Sequence, residues 1–338
     1  MAGRIEDVAA AAGVSIKTVS RVLNNEPNVR QQTQQRVRDA VAKLGYKPNP
    51  SARSLAGQRS YALALAYNNP SRNYLMEIQS GMLDACHGNH YNLLLGPVGI
   101  GQHALPDLRA LFENSRPDGV VLIPPLTDDP VVLAYLHTHG IPFASIAPRD
   151  PSTGIGVRMD ETTAVVELMR HLLALGHRRI GHIKGPRTHG ACQWRHAGYR
   201  AALREAGIAY DPSLVVSGQF SFESGLPAAH RLLDLADPPT AIFAANDDMA
   251  AAVYRVAGGR GLRIPHDLSV CGFDDTPLAS HIFPALTTVR QPTADMGRLA
   301  SQQLIDRIRA PAAGAMITLE HTVLVRESTA APGRRASA

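Results

Sequence analysis

Apolar residues near the start of the chain recur at helical spacing and predict three short helices. The inner faces of these helices carry Ile5, Val8, Ala9 and Ala12 in the first, Val19, Val22 and Leu23 in the second, and Val37, Val41 and Leu44 in the third. Gly13 is suited to the left-handed conformation that ends the first helix, and Ser15 to capping the second. Gly45 stops the third helix, which starts at about Gln31. Short helices joined by a tight glycine turn predict a helix-turn-helix.

The second predicted helix has an outer face with basic side chains. Ile16, Lys17, Ser20 and Arg21 point away from its inner face. A generic three-helix bundle is the alternative, but it does not explain Lys and Arg on the first two turns. When such a helix enters the major groove, these positions reach the edges of the bases.

From Tyr61 onward, short apolar runs alternate with amphipathic stretches of helical length. The runs are typical of buried parallel strands, and they are YALALAY, YNLLLGP, DGVVLIP, IPFASIA, RIGHIKG, TAIFAAN and LSVCGFD. Helical segments are expected near 74–87, 104–115, 129–139, 161–175, 192–206, 223–235 and 246–259. This alternation predicts an α/β fold with parallel sheets, long enough for two. Ligands of such folds bind beyond the carboxyl ends of the strands.

Positive charge is concentrated at the start of the chain. Residues 1–59 hold ten Lys and Arg against four Asp and Glu, whereas the remaining 279 residues hold 24 against 25. A basic segment on a neutral body is typical of a nucleic-acid binder, although a solvated basic tail would give the same charge. The sequence contains no run of 18 apolar residues. The start MAGRIEDVAA lacks the basic, apolar pattern of a signal peptide, so we expect no membrane partner and a cytoplasmic protein.

Candidate chemistry is sparse along the chain. Cys86, Cys192 and Cys271 lie far apart, which favours reduced, buried thiols over disulfides or a zinc site. His87 and His90 have metal-like spacing without a third ligand nearby, and a surface pair is the simpler interpretation. GIGQHA fails the dinucleotide-binding pattern, and phosphate-loop, zinc-protease and serine-hydrolase motifs do not occur. We therefore expect no enzyme, cofactor or metal.

The motifs GVSIKTVSRVLN, LGYKPN and ARSL resemble the DNA-binding segment of the lactose-repressor (LacI) family. The resemblance implies a headpiece over 1–46 and a hinge over 47–59, with Ile16, Lys17 and Arg21 as base-contacting positions. It also implies contacts to phosphates or the groove edge, made by Ser15, Thr18, Ser20, Asn24, Asn28 and Tyr46. In the hinge, Pro50–Leu55 would fold as a helix on DNA, with Leu55 wedged into a minor-groove step and Ala52 and Arg53 against the groove.

Further motifs resemble the ligand-binding core of the same family, which is similar to periplasmic binding proteins. They are LGHRRIGHIKGP, CQWRHAGY, PTAIFAANDDMA, IPHDLSVCGFDDTPLA and PALTTVRQP. The resemblance implies a core over 60–330 built of two Rossmann-like lobes, followed by a disordered tail over 331–338. Lobe 1 would comprise about 60–159 and 292–318, and lobe 2 about 160–291 and 319–330. The chain would cross between the lobes near 158–161, 289–292 and 317–321.

The family's ligand positions correspond to individual residues of this chain, namely Asn69, Tyr74, Asp160, Arg195, Phe220, Asn246 and Asp274. Arg195 would hold ligand oxygens and Phe220 would provide an aromatic platform. The alternatives left open are that Asn246 only caps its helix and that Asp274 only forms a turn. The lactose repressor has an acidic residue after the strand IPFASIA, where this chain has Ala147–Arg149, so that Arg149 could contact the ligand.

Together these features predict an allosteric transcription regulator, a repressor of carbohydrate-utilisation genes that binds palindromic operator DNA. A homodimer is expected because the end of the chain, ESTAAPGRRASA, lacks the leucine heptad of the tetrameric lactose repressor. A mono- or oligosaccharide effector is favoured over a purine, since the sequence shows no clear second aromatic partner for the cleft. The alternatives are a transport protein, which would need a signal peptide, and a sugar enzyme, which would need catalytic motifs.

Overall fold

The computed structural model describes residues 4–23, 29–46, 59–152, 154–310 and 314–333. The chain divides into two compact units, Met1–Ser60 and Tyr61–Ala338. Among the described residues, no helix has the length and apolar character needed to span a bilayer. The predicted DNA contacts that lie outside the described residues are Asn24, Asn28, Ala52, Arg53 and Leu55.

The first unit contains the three predicted helices, α1 (Ile5–Ala12), α2 (Ile16–Leu23) and α3 (Gln31–Leu44). Its core consists of Val8, Ala9, Ala12, Val19, Val22, Val37 and Ala40. Gly13 ends α1 with a φ of 62°, in the left-handed region that glycine adopts without strain. Ser15 Oγ accepts a hydrogen bond from the Thr18 amide at 3.2 Å and so caps α2. The predicted helix-turn-helix is confirmed.

The second unit alternates strands and helices, as its sequence pattern predicts. In chain order its main elements are β1 (Ala62–Tyr67), α4 (Arg72–Asn89), β2 (Asn92–Pro97), α5 (Ala104–Ser115), β3 (Gly119–Leu122), α6 (Pro130–Thr138), β4 (Phe143–Ile146), β5 (Ile155–Met159), α7 (Glu161–Ala174), β6 (Ile180–Lys184), α8 (Gly190–Glu205), β7 (Val215–Ser217), α9 (Phe222–Leu233), β8 (Ala241–Ala244), α10 (Asp247–Gly259), β9 (Ser269–Cys271), α11 (Pro277–His281), β10 (Thr288–Arg290), α12 (Thr293–Arg309), β11 (Met316–Leu319) and β12 (Thr322–Leu324). The predicted α/β class is confirmed.

Six strands form a parallel sheet in the order β11-β5-β4-β3-β1-β2, and this sheet with its helices is called lobe 1 below. Helix α12 comes from near the end of the chain and packs against α4, which comes from the start of the lobe. The two helices touch through glycines, because a Cβ at Gly81 would overlap the Ala294 carbonyl and one at Gly297 the Ile78 carbonyl. Their backbones therefore approach more closely than side chains would allow.

Four strands form a second parallel sheet in the order β7-β6-β8-β9, which with its helices is called lobe 2. Strands β10 and β12 pair antiparallel beside it. The chain passes from one sheet to the other between β5 and α7, returns between β10 and α12, and leaves lobe 1 again between β11 and β12. These connections place the carboxyl ends of both sets of strands around one cleft.

The last described residues pack against lobe 2. The tail predicted over 331–338 lies mostly outside the described residues, and within it a Cβ on Gly333 would lie 2.7 Å from the His266 carbonyl oxygen. Just before it, the Ala330 carbonyl accepts a hydrogen bond from Ser269 Oγ at 3.1 Å. Hydrogen bonding to lobe 2 therefore extends to Ala330, and the chain continues along this lobe to 333.

Candidate DNA-binding face and ligand cavity

Helix α2 divides cleanly into a buried and an exposed face. Val19 and Val22 lie in the core of the first unit, whereas Ile16 is 46% exposed. Lys17 and Arg21 are also exposed. One solvent-facing surface of α2 therefore carries an isoleucine and two long cations. In the major groove, the isoleucine could contact an apolar base edge, and the two cations could donate to acceptor atoms of the bases.

The described part of this unit also carries the predicted hydroxyl contacts Ser15, Thr18, Ser20 and Tyr46. The hydroxyls of Ser15 and Thr18 are 2.9 Å apart at the start of α2. Ser20 and Tyr46 are half-buried. Burial and, secondarily, Glu6 raise the pKa of Tyr46, so its hydroxyl remains a neutral donor. Such hydroxyls are suited to phosphate oxygens.

A cavity opens between the two lobes, and its lining follows the ends of the strands. Its lining residues are Asn69, Ser71, Tyr74, Pro124, Ala147, Glu161, His189, Ala191, Trp194, Arg195, Phe220, Asn246, Asp274 and Gln291. Glu161, Asn246 and Gln291 each come one or two residues after a strand. The cavity thus lies where parallel α/β sheets place their ligands. Six of the seven predicted ligand positions line it, and Asp160 does not.

Arg195, on α8, lies buried at the centre of the cavity wall with 4% of its surface exposed. Its Nε donates to Glu161 Oε2 at 2.6 Å, and its Nη1 to Asp274 Oδ1 at 3.5 Å and to the Ala245 carbonyl. The guanidinium carbon lies 3.7 Å from the centroid of the Phe273 ring. Burial lowers the pKa of Arg195, but Glu161 and Asp274 outweigh this and hold it above its ordinary value.

Two carboxyl groups of lobe 2, those of Asp274 and Asp247, are buried. Asp274 Oδ1 also accepts from Gln291 Nε2 at 2.6 Å. Asp247 accepts from the Thr276 amide at 2.8 Å and from Thr288 Oγ1 at 2.7 Å. Burial raises the pKa of both carboxyls, and Asp274 adds to this effect at Asp247. The predicted cleft residue Asp274 therefore holds a cavity network together, and its backbone forms an isolated parallel bridge with Arg290 in place of the turn considered above.

One wall of the cavity is aromatic. Phe220 and Trp194 both line it, and the His189 ring meets Phe220 edge-on with centroids 5.5 Å apart. Gly185 leaves room for the Phe220 ring, because a Cβ there would overlap it. His189 is 5% exposed, and its Nε2 has no hydrogen-bond partner in the structure as described. This wall can cover the apolar face of a ring and offer one further polar atom.

The side-chain amides of the predicted residues Asn246 and Asn69 hydrogen-bond to backbone atoms. Asn246 caps α10 by accepting from the Met249 amide at 3.0 Å, and its Nδ2 donates to the Phe220 carbonyl at 3.0 Å. Asn246 therefore caps its helix, but capping is not its only role, because its side chain also lines the cavity. Asn69 Oδ1 accepts from the Ser71 amide at 2.9 Å. Tyr74, on α4, is 8% exposed and faces the cavity from lobe 1.

Backbone strain is concentrated in this lining. Ala147, Phe220 and Asp274 have φ values of 50°, 57° and 117°. Residues with side chains adopt this region at a cost of about 1–3 kcal/mol each, and such residues cluster at functional sites. Three of them around one cavity indicate that its shape is maintained at the expense of stability.

Polar contacts hold the two lobes together at the cavity mouth. Ser71 Oγ donates to Asp248 Oδ2 at 3.0 Å, and Asn73 Nδ2 to Asp248 Oδ1 at 3.2 Å. On the other side, Arg149 Nη2 donates to the carbonyls of Arg187 and Thr188 at 3.1 and 2.8 Å. The sequence suggested Arg149 as a ligand contact. Instead, Arg149 bridges the lobes and is not among the lining residues.

Two further expectations need correction. Asp160 caps α7, where its Oδ1 accepts from the Thr163 amide at 3.0 Å, and the next residue, Glu161, lines the cavity instead. The argument against a purine assumed no second aromatic partner, but Trp194 lines the cavity as well as Phe220. Two sequence signals were available for these residues. Glu161 is a second acid at the same strand end, and Trp194, the only tryptophan, directly precedes Arg195. No sequence signal marked His189.

Comparison with known proteins assigns both parts of the chain. Residues 4–49 match the family described as bacterial regulatory proteins, lacI family. Residues 169–329 match a periplasmic binding protein-like domain. The headpiece match contains the exposed face of α2, and the second match contains Arg195, Phe220, Asn246 and Asp274.

Relatives match over nearly the whole chain. The helix-turn-helix-type transcriptional regulator CelR of Thermobifida fusca is 35% identical, over 96% of this chain and 97% of its own. Catabolite control protein A of Priestia megaterium is 31% identical, over 96% and 98%. Among solved structures, a CelR–cellobiose complex matches with 33% identity and a TM-score of 0.74, covering 96% of this chain and 99% of its own. A lac repressor dimer bound to operator and the anti-inducer ONPF matches with 28% identity and a TM-score of 0.79, covering 98% and 100%.

A helix-turn-helix unit joined to a two-lobed binding core defines the class of ligand-responsive transcription regulators. The chain belongs to the lacI family of bacterial regulatory proteins.

Proposed function

We propose that this protein is a repressor whose operator affinity is controlled by a sugar-type effector bound in the interlobe cavity. One observation carries the proposal. A buried arginine, an amide and an aromatic wall converge on a cavity at the strand ends of a chain that also carries an exposed helix-turn-helix face. The effector would favour one arrangement of the lobes, and a coupling of about 1–3 kcal/mol per site is usual for such control.

On the DNA side, Ile16, Lys17 and Arg21 would contact base edges. Arg21 offers a bidentate fork to guanine O6 and N7, and Ile16 offers apolar contact to a thymine methyl. Residues that would bind phosphate or the minor groove are Ser15, Thr18, Ser20, Asn24, Asn28, Tyr46, Ala52, Arg53 and Leu55. Since DNA is the partner, the regulator would act in the cytoplasm.

On the effector side, Arg195, Asn246 and Asp274 would bond to ligand hydroxyls, and Phe220 would pack on the face of the sugar ring. Glu161 takes the place that the sequence assigned to Asp160. The cellobiose bound to CelR supports a sugar. A nucleoside-type effector is the second candidate, and Trp194 favours it, because Trp194 and Phe220 together could contact a flat base.

A homodimer on a palindromic operator is the assembly we propose. The operator-bound lac repressor dimer supports it, and so do exposed apolar side chains on this chain. Phe283 is 94% exposed, and Met76 and Leu83 on α4 are 52% and 53% exposed. Such side chains gain stability when a second copy covers them. All the relatives named above are regulators, and we propose no catalytic activity.

The proposal is tested by two measurements on the full-length protein. The first is a thermal-shift screen of mono- and disaccharides and nucleosides, in which a ligand at 100 times its Kd adds about 2.7 kcal/mol to the free energy of unfolding. The second is operator affinity with and without each hit, measured at several salt concentrations. A sugar that raises the melting temperature and changes operator affinity is the expected result. A nucleoside hit would support the second candidate, and DNA binding that no cavity ligand alters would contradict the proposal.

A further inference from the structure

The ionisable groups in the described cavity lining offer no net positive charge. Two carboxyl groups, Glu161 and Asp274, face one cation, Arg195. All three are at least 93% buried. His189 adds no positive charge at neutral pH, because burial, helped by Arg195 and Arg149, lowers its pKa to about 4. The lining therefore carries no excess positive charge.

The single cation is already neutralised. Arg195 forms a 2.6 Å ion pair with Glu161 and a second, longer contact with Asp274. A ligand anion would have to compete with the Glu161 carboxylate, which is covalently tethered beside the guanidinium. If it succeeded, it would leave a buried, unpaired glutamate, which is strongly unfavourable.

Arg149, a cation at the mouth of the cleft, is committed elsewhere. Arg149 is bonded to the carbonyls of Arg187 and Thr188, and its Nε lies 3.6 Å from Asp128. At the opposite side of the mouth stands another carboxylate, Asp248, which joins the lobes. No further lysine or arginine is present in the described lining.

We propose, on the basis of the function proposed above, that the effector carries no negative charge and that Glu161 enforces this selection. The cavity accepts a neutral sugar or an amino sugar and rejects uronates, aldonates and sugar phosphates. Hydroxyl groups can donate to the carboxylates and accept from Arg195 without separating the ion pair. Burial raises the pKa of Asp274 to about 7, and a ligand ammonium would in addition favour the ionised form of this carboxyl group.

The test compares ligands that share one scaffold and differ in charge. Calorimetry on the full-length wild type would use glucose, glucosamine, glucuronate and glucose 6-phosphate, the corresponding galactose set, and cellobiose with cellobionate. In any set that binds, the neutral or amino member should bind at least about 100-fold more tightly than the acidic member. An acidic member that binds within tenfold of its neutral partner, or more tightly, would overturn the inference while leaving sugar control intact. If no member bound and none altered operator affinity, both the inference and the proposed sugar control would be overturned.

A substitution locates the selection. Glu161→Gln retains an acceptor for Arg195 but removes one negative charge, so the ratio between neutral and acidic affinities should shrink at least tenfold. Glu167→Gln makes the same change two turns along α7, where the side chain is 46% exposed and bonds to His321. It should leave the ratio unchanged. An unchanged ratio in folded Glu161→Gln would exclude Glu161 as the determinant, and the wild-type comparison stands even if this variant does not fold.

Discussion

Arg195 combines its proposed binding role with a structural one, and this affects how the binding role can be tested. Removing it would leave Glu161 and Asp274 buried without a cation, at a cost of about 3–5 kcal/mol. Arg195→Lys retains the charge but loses the planar fork that bonds two partners at once. The conservative substitution therefore separates binding geometry from simple loss of charge.

We expect Arg195→Lys to weaken effector binding by at least tenfold while the headpiece still binds operator without effector. Arg200→Lys, on the exposed side of α8, is the matched control and should respond to effector as the wild type does. Operator affinity titrated with the identified sugar measures both. A full response in Arg195→Lys would show that the guanidinium fork does not contact the effector.

His182 makes the core sensitive to acid. It is fully buried on β6, with its ring stacked 4.7 Å from Phe243, and its Nε2 has no partner among the described residues. Burial is the main cause that lowers its pKa to about 3. An unfolded histidine has a pKa near ~6.5, so the unfolded chain takes up a proton that the folded chain refuses. Stability is therefore fully present above about pH 6.5 and falls as the pH drops toward 3.

We expect His182→Phe to flatten this dependence by about 1.4 kcal/mol per pH unit between pH 6 and 4. Phenylalanine preserves the stacking and cannot be protonated. Urea unfolding at a series of pH values measures the slope, with His87→Phe on the exposed side of α4 as the control. Equal slopes for wild type and His182→Phe would show that this histidine contributes nothing to acid sensitivity.

Helix α2 is the element expected to carry operator specificity. Arg21→Ala should weaken specific binding by about 1–3 kcal/mol and relax the preference at one base pair in each half-site. Arg38→Ala removes the same charge from the exposed surface of α3 and should retain that preference. Competition with operators permuted at each position distinguishes the two variants. A uniform loss across all sequences in Arg21→Ala would indicate a phosphate contact instead.

The pairing of α4 with α12 depends on its glycines. A Cβ at Gly81 would overlap the backbone of Ala294, whereas one at Gly88, also on α4, meets nothing within 4 Å. Gly81→Ala should therefore lower the free energy of unfolding by more than about 2 kcal/mol, because two backbones must separate. Gly88→Ala should raise it by about 0.5–1 kcal/mol through helix propensity. Denaturant titration compares them, and equal effects would contradict the close approach.

The sequence pattern predicted some strands and helices of the second unit and missed others. The prediction that every apolar run forms a buried strand is wrong for β2, the edge strand of its sheet, where Leu95 is 48% exposed. The apolar runs identified strands β1–β4, β6, β8 and β9, because each run is continuous and bounded by polar turns. They did not identify α12, or β5, β7 and β10–β12, which have three to five residues each. Shortness alone does not explain this, because the identified strand β9 also has only three residues. Strand β11 forms because β5 lies beside it. Contacts between distant segments leave no periodic trace in the sequence.

Most of the predicted cavity residues could be identified from the sequence, but the ion pairs between them could not. Family resemblance placed Arg195, Phe220, Asn246 and Asp274 at one site because their motifs are local. The pairing of Arg195 with Glu161 joins α8 to α7 across 34 positions, and only the folded chain brings the two together. Likewise, Asp160 and Glu161 are adjacent acids whose side chains have different positions. The Asp160 side chain caps α7, and the Glu161 side chain lines the cleft.

For the whole molecule, the exposed apolar side chains predict the assembly. Phe283→Asp should shift the homodimer toward monomers and weaken operator binding, because a palindrome is bound tightly only by two linked headpieces. Phe283→Leu keeps an apolar side chain and should remain dimeric. Sedimentation velocity reports the assembly, and effector calorimetry checks that the cavity is intact. A dimeric Phe283→Asp protein with wild-type operator affinity would place the interface elsewhere.

The interleaving of the two lobes along the chain determines the order in which they can be completed on the ribosome. Lobe 1 begins at β1, but its edge strand β11 and the covering helix α12 are synthesised only after residues 161–290, which build lobe 2. At a synthesis rate of about 5–20 residues per second, roughly 10–30 s separate β5 from its neighbour β11. Until α12 is synthesised, shortly before β11, the apolar side of α4 with Ile78 and Met82 lacks its partner helix. Lobe 1 is therefore the first lobe to be started and is completed only after the segment of lobe 2 has been made. A chaperone that binds apolar surface would have the longest time to bind at the uncovered side of α4.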